Sequence, residues 1–431
     1  MRGEVFNLAD KLSQLDETRW LLYCDSSYQF LLSFLALLLA RKEVVICANI
    51  SPLWLEKVAE SFDAVISDVS LFVEGKKAVK PSQPNVDIDS VGNSASQFLP
   101  LTGEESIRFF TSGSTGKPKA IDKKLACLLN EVEQLEESFG SLLDKTVIIS
   151  TVSHCHIYGL LFKLIWPFVS ERSWLEETLE YQEQIAQMCN KLNSLDKPCQ
   201  LSLISSPAFL ARLDKQIKID SLACIFSSGG PLAFNDSQLA NQLFGCLPIE
   251  VYGSTETGGI GYRQAVSPSQ PWTLFDDSQL VSSEEETWFF SKHLTLNEKV
   301  CLDDKVSLLE SNRFILEGRK DRVIKIEEKR VSLTEIEEFL ESFEWIERCI
   351  ALPVSGKRKV IGCVVKLSEV GEEKYEGTNF RELCRLLKSN MRKRFEAVTI
   401  PRKWRKVDTF PINRQGKVIY DSLHELFLVQ D

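Results

Sequence analysis

The sequence lacks the cysteine patterns that mark a metal cluster or a disulfide framework. Its 12 cysteines include no CxxC pair and no Cys/His cluster at metal-ligand spacing. Several of them, such as Cys24, Cys47, Cys127 and Cys155, stand inside apolar segments. We therefore predict buried structural thiols in a reducing compartment.

A secretory signal and a membrane-spanning run are also missing. The N-terminal segment MRGEVFNLADKLSQLDETRW mixes charged and apolar side chains, unlike a signal peptide. The apolar run 30–40 ends at Arg41 and Lys42 and is too short to cross a bilayer, so it predicts a core helix. The expectation is a cytoplasmic protein with no membrane span.

The chain has no surplus of basic residues. Its formal net charge is −10, opposite in sign to that of a general nucleic-acid binder, so no nucleic-acid partner is expected. With 44% hydrophobic and 26% charged residues, the composition is that of a globular protein. A length of 431 residues predicts two or three domains.

Strand-like and helix-period segments alternate along most of the chain. The short β-branched runs are at 44–50, 63–69, 145–151, 200–206, 223–230 and 248–254. Apolar residues at helical spacing lie between them, as in 121–139. This alternation predicts an α/β fold with βαβ-type layered sheets. Residues 76–106 are rich in Pro, Ser, Asn and Asp and predict a long surface loop.

The composition changes near residue 317, where a highly charged segment begins. Ser332 and Glu335 then have the spacing of a capping box before an amphipathic helix, and two strand-like runs and a second helix follow. We therefore predict a large N-terminal domain, 1–317, and a small C-terminal α+β domain, 318–431.

A Gly/Ser/Thr-rich segment follows a strand-like run at 106–110. It consists of Thr111, Ser112, Gly113, Ser114, Thr115, Gly116, Lys117, Pro118 and Lys119. Glycines let backbone N–H groups converge on phosphates, hydroxyls donate, and lysines supply positive charge. The segment predicts a phosphate-binding loop, with a flexible surface loop as the alternative. Its spacing differs from GxxxxGK[ST], which disfavours a P-loop phosphotransferase.

This segment resembles the phosphate loop of the acyl- and aryl-adenylate-forming superfamily. That family includes acyl-CoA synthetases, 4-coumarate ligases, nonribosomal adenylation domains and firefly luciferase. Further segments of the chain resemble the family's motifs in the same order, over roughly residues 20–425. Taken alone, each segment has a structural alternative: a turn after a strand for YGSTE and for 228–232, and a solvated strand edge for the charged run 318–330. The stretch 326–337 also resembles acyl-ligase-like proteins of bacterial aryl-polyene and related pathways.

The resemblance implies roles for residues in the N-terminal part. In the YGSTE segment Tyr252, Gly253 and Ser254 would border the nucleotide, with Tyr252 stacked on adenine. Thr255 would contact the α-phosphate and Glu256 would hold Mg²⁺, a cation that takes one or two carboxylates. Ser228, Gly229 and Gly230 would line the acyl pocket and the adenine edge, and His156 would lie beside the substrate carboxylate, whereas His154 and His293 are read as structural.

The resemblance also implies roles for residues in the later part of the chain. Asp304 would bind the ribose hydroxyls, with Asp303 as a rival because Leu302 and Asp303 replace the family's Thr-Gly. Arg319 would contact ribose and Asp321 would be the hinge about which the small domain turns. Arg330 would contact phosphate, and Lys417 would bridge the substrate carboxylate and the α-phosphate during adenylation.

The implied reaction is activation of a fatty or aromatic carboxylic acid with ATP and Mg²⁺ to an acyl adenylate. Two departures from the family's sequence pattern bear on the step that follows adenylation. The stretch 258–303 is short, and Glu328 replaces a glycine that borders the family's pantetheine channel. A basic cluster decorates the small domain: Arg392, Lys393, Arg394, Arg402, Lys403, Arg405 and Lys406.

These departures favour transfer to the phosphopantetheine of an acyl carrier protein over transfer to CoA, with a solvated basic face as the alternative. A catalytically silent nucleotide-binding regulator or scaffold on the same fold is the competing hypothesis. Retention of Glu256, Arg330 and Lys417 together argues against it.

Overall fold

The computed structural model describes most of the chain. The described residues are 1–81, 99–112, 118–194, 199–219, 222–283, 286–295, 298–319, 322–326, 329–354, 360–375, 380–397, 399–412 and 418–428. They divide into two compact units. The first is Met1–Val281 with Trp288–Val300 and Leu308–Phe314, and the second is Ser282–Thr287 with Cys301–Ser307 and Ile315–Asp431. The predicted boundary at residue 317 stays a prediction.

The first unit contains most of the strands. Its strands are β1 (Arg19–Tyr23), β2 (Glu43–Cys47), β3 (Ala64–Ser67), β4 (Lys77–Val79), β5 (Ser106–Ser112), β6 (Pro118–Lys124), β7 (Thr146–Ser150), β8 (Ser173–Thr178), β9 (Gln200–Ser205), β10 (Cys224–Ser227), β11 (Ile249–Ser254), β12 (Gly258–Gln264), β13 (Trp272–Leu274), and, for the most part, β14 (Ser278–Ser282), β15 (Thr287–Ser291) and β16 (Val300–Cys301).

The helices of the first unit alternate with these strands. They are α1 (Arg2–Ser13), α2 (Ser27–Leu39), α3 (Pro52–Val58), α4 (Leu125–Phe139), α5 (Ile157–Gly159, a π-helical segment Leu160–Ile165, and Trp166–Val169), α6 (Gln182–Asn193), α7 (Pro207–Leu210) and α8 (Phe234–Phe244), with 3₁₀ turns at Ala59–Ser61 and Gly140–Leu143. The Ser26 hydroxyl caps α2 by accepting from Gln29 N at 3.1 Å. The predicted core helix is therefore present.

Two sheets form the frame of the first unit. One has the order β4-β3-β1-β2-β5-β6, and all its pairs are parallel except β5–β6. The other runs β13-β12-β11-β10-β9-β7-β8, with parallel pairing from β11 to β8. Strands β14, β15 and β16 form a small separate sheet.

Side-chain alternation along the strands places helices on both faces of each sheet. Val44 and Ile46 of β2 join a core with α1, α2, α4 and α5, whereas Val45 and Cys47 face α3. In the second sheet Ile148 points into the same central core, and Ile149 packs with α6, α7 and α8. The predicted α/β fold of layered sheets is confirmed.

The sequence reasoning was wrong about one part of this unit. It assigned 76–106 to a surface loop, but Lys77–Val79 forms β4, paired in parallel with β3. The strand is short and lies at the sheet edge with exposed side chains, so it has no apolar alternation to reveal it. Residues 82–98 of the predicted loop lie outside the described part of the chain.

The second unit is built from shorter elements. They are β17 (Asp304–Leu308), most of β18 (Arg313–Arg319), β19 (Val323–Ile326), β20 (Lys329–Ser332), α9 (Leu333–Glu341), β21 (Ile346–Val354), β22 (Val360–Leu367), α10 (Glu369–Lys374), α11 (Phe380–Met391), β23 (Lys403–Lys406) and α12 (Tyr420–Glu425). Strands β19 and β20 form an antiparallel hairpin. The Ser332 hydroxyl accepts from Glu335 N at 3.2 Å and caps α9.

The sheet of the second unit separates two small cores. It runs β21-β22-β23, antiparallel and then parallel. One face packs against α9 and α11, and the other against Leu423 and Phe427 near the end of the chain. The predicted α+β character of this part is present.

The cysteines form no disulfide bonds. All 12 cysteines are free thiols, and most of them are buried. Within the described residues, no helix is long and apolar enough to cross a membrane.

Candidate active site

Several predicted site residues follow neighbouring parallel strands of the second sheet. His156 comes after β7, Ser228–Gly230 come after β10, and Tyr252–Glu256 lie at the end of β11. Strands β7, β9, β10 and β11 pair in parallel, so their carboxyl ends share one edge of the sheet. The carboxyl edge of an open α/β sheet is where such folds bind ligands. The first unit therefore gathers these three segments at one edge.

The predicted phosphate loop joins two paired strands. Thr111 lies opposite Lys119, and Ser112 lies opposite Pro118, in the antiparallel pair β5–β6. The tip of this hairpin (Gly113, Ser114, Thr115, Gly116 and Lys117) lies outside the described residues, and for Ser112 only the backbone is described. The described strands thus fix the two ends of the loop.

Lys119 connects this hairpin to the turn that carries Glu256. Its Nζ lies 2.6 Å from Glu256 Oε1. Burial opposes ionisation of Glu256, but the hydrogen bonds from Lys119 and from the backbone outweigh it, and the pKa of this carboxyl lies below its usual value. Glu256 is therefore an ionised, half-buried carboxylate at the carboxyl edge of the sheet.

The turn after β11 is closed by two hydroxyl groups. Thr257 Oγ1 accepts from Ser254 N at 3.0 Å and donates to Gly258 O at 2.8 Å. Ser254 Oγ accepts from Thr257 N at 3.2 Å. Gly253 is required here, because an added Cβ would lie 2.2 Å from Gly258 O. This geometry presents Thr255 and Glu256 at the tip of the turn, both half-buried.

Tyr252 lies among aromatic side chains. Its ring centroid is 5.6 Å from that of Trp272 and 6.0 Å from that of Phe314. Nearby in the sheet, Ser228 Oγ donates to Val251 O at 2.8 Å and ties the segment after β10 to β11. Gly229 has φ +90° and open space at its Cβ position. The Tyr252 ring, next to the open backbone at Gly229, offers a surface suited to stacking of a planar base.

His156 begins helix α5 and is half-buried, with its carbonyl accepting from Leu160 N at 2.7 Å. The preceding loop folds tightly onto the helix, because a Cβ at Gly159 would lie 2.1 Å from Ser153 O. His154 is different: it is 3% exposed, and its Nε2 lies 2.9 Å from Cys24 O. Of the two histidines, only His156 stands at the carboxyl edge with an accessible side chain.

The remaining predicted residues belong to the second unit. Asp304 begins β17, and the next residue, Lys305, contacts Glu317 at 2.6 Å. Arg319 ends β18 and Arg330 lies in β20 opposite Lys325, and only their backbones are described. Asp321, Glu328 and Lys417 lie outside the described residues. Their roles stay predictions.

The side chains of the site fit a magnesium ion better than a metal held by a cage of protein ligands. Among the described residues, no cluster of three or more His, Cys, Asp or Glu side chains forms a metal cage. A single ionised carboxylate next to a phosphate loop fits Mg²⁺, which keeps water and phosphate oxygens for most of its shell. Glu256 is thus the side chain that fits the cation.

Three side chains contact the turn, and the sequence analysis singled out neither Lys123 nor Glu131 and assigned His293 a structural role. Lys123, Glu131 and His293 each contact the backbone of the turn at residues 256–259. They belong to different elements, and Glu131 and Gly259 are 128 residues apart. The one available signal was the presence of ionisable residues at core-facing positions of β6 and α4.

Comparison with known proteins shows the family to which the chain belongs. The family model for AMP-binding enzymes matches residues 8–278. A 4-coumarate–CoA ligase of Cereibacter sphaeroides is 25% identical over 270 residues, which is 62% of this chain and 60% of that protein. A D-alanine–D-alanyl carrier protein ligase of Staphylococcus aureus is 30% identical over 357 residues, 74% of this chain and 70% of that protein.

A solved structure agrees in fold. ATP-bound MatB from Rhodopseudomonas palustris superposes with a TM-score of 0.76 at 14% identity, covering 99% of this chain and 92% of that chain. The chain belongs to the AMP-binding enzyme family, whose members are adenylate-forming ligases, as the resemblance of its motifs implied.

Proposed function

We propose that this protein activates a carboxylic acid with ATP and Mg²⁺. In the first step a carboxylate oxygen of the substrate attacks the α-phosphorus of ATP, the α–β phosphoanhydride bond breaks, and pyrophosphate leaves. In the second step a phosphopantetheine thiol, after losing its proton, attacks the acyl carbon, and AMP leaves. Family membership and the carboxyl-edge arrangement of His156, Tyr252 and Glu256 support this reading.

The contact between Lys119 and Glu256 is the observation that carries the proposal. It joins the end of the phosphate-loop hairpin to the turn after β11 at 2.6 Å. The loop residues Thr111–Lys117 would cradle the phosphates, and Lys119 would add positive charge beside them. Glu256 would hold Mg²⁺, which when bound neutralises phosphate charge. Thr255 would donate to the α-phosphate from the same turn.

Other residues would bind the remaining parts of the nucleotide and the acid. Tyr252 would stack on adenine beside the backbone of Ser228–Gly230, and Asp304 and Arg319 would bind the ribose. His156 would face the substrate carboxylate. Lys417 and Arg330 would stabilise the negative charge that develops at the α-phosphate, and Asp321 would be the hinge.

Carboxylate-dependent exchange of pyrophosphate into ATP tests the first step. The acid panel contains fatty acids, hydroxybenzoates, cinnamates and D-alanine, the last because the S. aureus relative's name includes it. We expect exchange with one class of acid, reduced about 10²–10³-fold in K417M, since a donor that acts in the transition state is lost. ATP binding without exchange for any acid would contradict the proposal and favour the silent regulator.

We propose an acyl carrier protein as the acceptor of the second step. Residues 318–431 contain 24 Lys+Arg and 19 Asp+Glu, whereas residues 1–317 contain 27 and 42. Exposed basic residues of α11 and the following segment form what we call the basic face: Arg385, Arg392, Lys393, Arg402 and Lys403. Among the described residues, no carboxylate pairs with any of these five. Carrier proteins are acidic, so this face would steer them.

The basic face differs from the cluster expected from the sequence. Arg394 pairs with Glu335 at 3.2 Å and Lys406 pairs with Glu372 at 2.6 Å. Arg405 Nε donates to Leu426 O at 2.8 Å. These three side chains form contacts within their own unit. The positive charge available to a partner lies on the five residues of the basic face.

Charge reversal tests the acceptor. We expect R392E/K393E to slow loading of a holo-acyl carrier protein at least tenfold at low salt, with the difference shrinking as salt screens the charges. Pyrophosphate exchange should be unchanged in this variant. The matched control is K57E, an exposed lysine on α3 of the first unit. Thioester formation with free CoA at the rate of carrier loading would refute the carrier preference.

A further inference from the structure

Three buried ionisable side chains hold the backbone of the turn that carries Glu256. Lys123 Nζ donates to Glu256 O at 3.1 Å. His293 Nε2 lies 2.8 Å from Thr257 O. Glu131 Oε1 accepts from Gly259 N at 2.7 Å. The three side chains come from β6, from the segment after β15 and from α4, so they converge on one turn from three directions.

All three side chains are almost fully removed from solvent. Lys123 is 6% exposed, Glu131 is 4% exposed and His293 is 1% exposed. Burying charged groups is costly, and a well-packed apolar substitute is often at least as stable. Stabilisation of the fold alone therefore does not account for a lysine, a glutamate and a histidine around one turn.

The hydrogen bonds of His293 define its orientation. Thr257 O can only accept, so the proton is on Nε2. Nδ1 lies 2.9 Å from Ser291 Oγ and accepts from that hydroxyl. Burial lowers the pKa of His293, which keeps the ring neutral with one donor and one acceptor. The ring is held on both sides, and the Thr257 carbonyl is fixed with it.

Gly258 shows how closely the turn packs against these side chains. It has φ +67°, and an added Cβ would lie 2.5 Å from Glu131 Oε2 and 3.0 Å from His293 Cδ2. Only glycine combines this backbone conformation with this approach. The peptide groups that follow Glu256 therefore have little freedom to move.

We infer that Lys123, Glu131 and His293 are positioning residues that fix the direction in which the turn presents the Glu256 carboxylate to a divalent cation bound with ATP. We call them the turn anchors. The inference rests on the proposed function, in which Glu256 holds Mg²⁺. With the carbonyls of Glu256 and Thr257 anchored, the carboxylate depends only on its own side-chain torsions. Groups that orient a metal ligand in this way typically change metal affinity 10–100-fold when removed.

Nucleotide binding measured with and without the cation tests the inference. The dissociation constant of α,β-methylene-ATP is measured by calorimetry in EDTA and in excess Mg²⁺. We call the ratio of the EDTA value to the Mg²⁺ value the magnesium factor. We expect K123M and E131M, which remove the donor to Glu256 O and the acceptor for Gly259 N, to reduce this factor about tenfold. Their dissociation constants in EDTA should stay within about twofold of wild type, since the phosphate loop and Tyr252 are untouched.

Matched controls separate positioning from general damage. Lys124 follows Lys123 in β6 and also holds the backbone, with its Nζ 3.0 Å from Glu104 O, but it is remote from the turn. K124M should keep the full magnesium factor, and E133Q on the exposed face of α4 should do the same. K123R retains a charged donor and should recover most of the factor.

The outcomes distinguish this inference from the proposed function. A wild-type protein whose nucleotide affinity does not depend on Mg²⁺ would contradict the role of Glu256 itself. If the wild type shows the factor and E256Q loses it, but K123M and E131M keep it, the turn anchors are not positioning residues. Equal weakening in EDTA and in Mg²⁺ would show a structural role alone and would also overturn the inference.

Discussion

Acidification is expected to destabilise the first unit through His154. Its Nε2 carries the proton donated to Cys24 O at 2.9 Å, because a carbonyl only accepts. Nδ1, the atom that would take up a second proton, is buried without a hydrogen-bond partner in the described part of the chain. Burial, followed by the nearby charge of Lys163, lowers the pKa of His154 to about 4.

The sign and size of the effect follow from this shift. The unfolded chain has a histidine pKa of 6.5, above the folded value, so between these two values the unfolded state binds more protons. The contribution of neutral His154 is therefore complete above pH 6.5 and is lost as the pH falls towards 4. At pH 5 the loss relative to pH 7.5 amounts to about 2 kcal/mol.

The variant H154Q isolates the contribution that titration of His154 makes to the free energy of unfolding. Glutamine retains an N–H for Cys24 O and does not titrate, so its stability lacks this pH dependence. We expect the free energy of unfolding of the wild type, minus that of H154Q, to fall by about 2 kcal/mol between pH 7.5 and pH 5. Urea unfolding followed by tryptophan fluorescence measures it. A difference that is constant over this range would refute the neutral, buried imidazole.

Three further predictions concern other parts of the chain. G253A should lower the free energy of unfolding by about 1–3 kcal/mol in urea titrations, because its Cβ would lie 2.2 Å from Gly258 O, whereas G230A, whose Cβ would meet Pro207 Cγ at 3.9 Å, should cost much less. S332A should cost about 1 kcal/mol by removing the cap of α9, with exposed S389A on α11 within about 0.5 kcal/mol of wild type. E136Q should cost stability because the neutral amide loses the ion pair with Arg172 and cannot accept from it with both terminal atoms, and unfolding curves equal to those of E137Q would contradict this.

The fold was largely accessible from the sequence because its strands are apolar and regularly spaced. The runs at 44–50 and 145–151 became β2 and β7, and Ser332 caps α9 at its predicted position. β4 was missed because three residues, two of them exposed, are too few to show a periodic pattern. The π-helical segment Leu160–Ile165 was also not predicted, since its mostly apolar sequence, LLFKLI, fits any buried helix.

The site was accessible only where its residues are contiguous. Tyr252 to Glu256 form a motif that is recognisable as it stands in the chain. The contact between Lys119 and Glu256 spans 137 positions, and no local spacing signals it. The turn anchors are harder still, because Lys123, Glu131 and His293 share no motif and meet only through the pairing of sheets and helices. Buried charges of this kind are visible only once burial is known.

The ion pair between Lys119 and Glu256 has a consequence for how ligands bind in the proposed reaction. The side chains are 58% and 31% exposed, so separating them costs little, about 1 kcal/mol or less. Phosphate oxygens that attract Lys119 would release the Glu256 carboxylate, whose lowered pKa keeps it ionised for a cation. The turn anchors would hold the backbone of Glu256 in place while its side chain exchanges one positive partner for another. Nucleotide and Mg²⁺ would therefore bind with positive coupling, and Lys119 would be the residue through which the coupling acts.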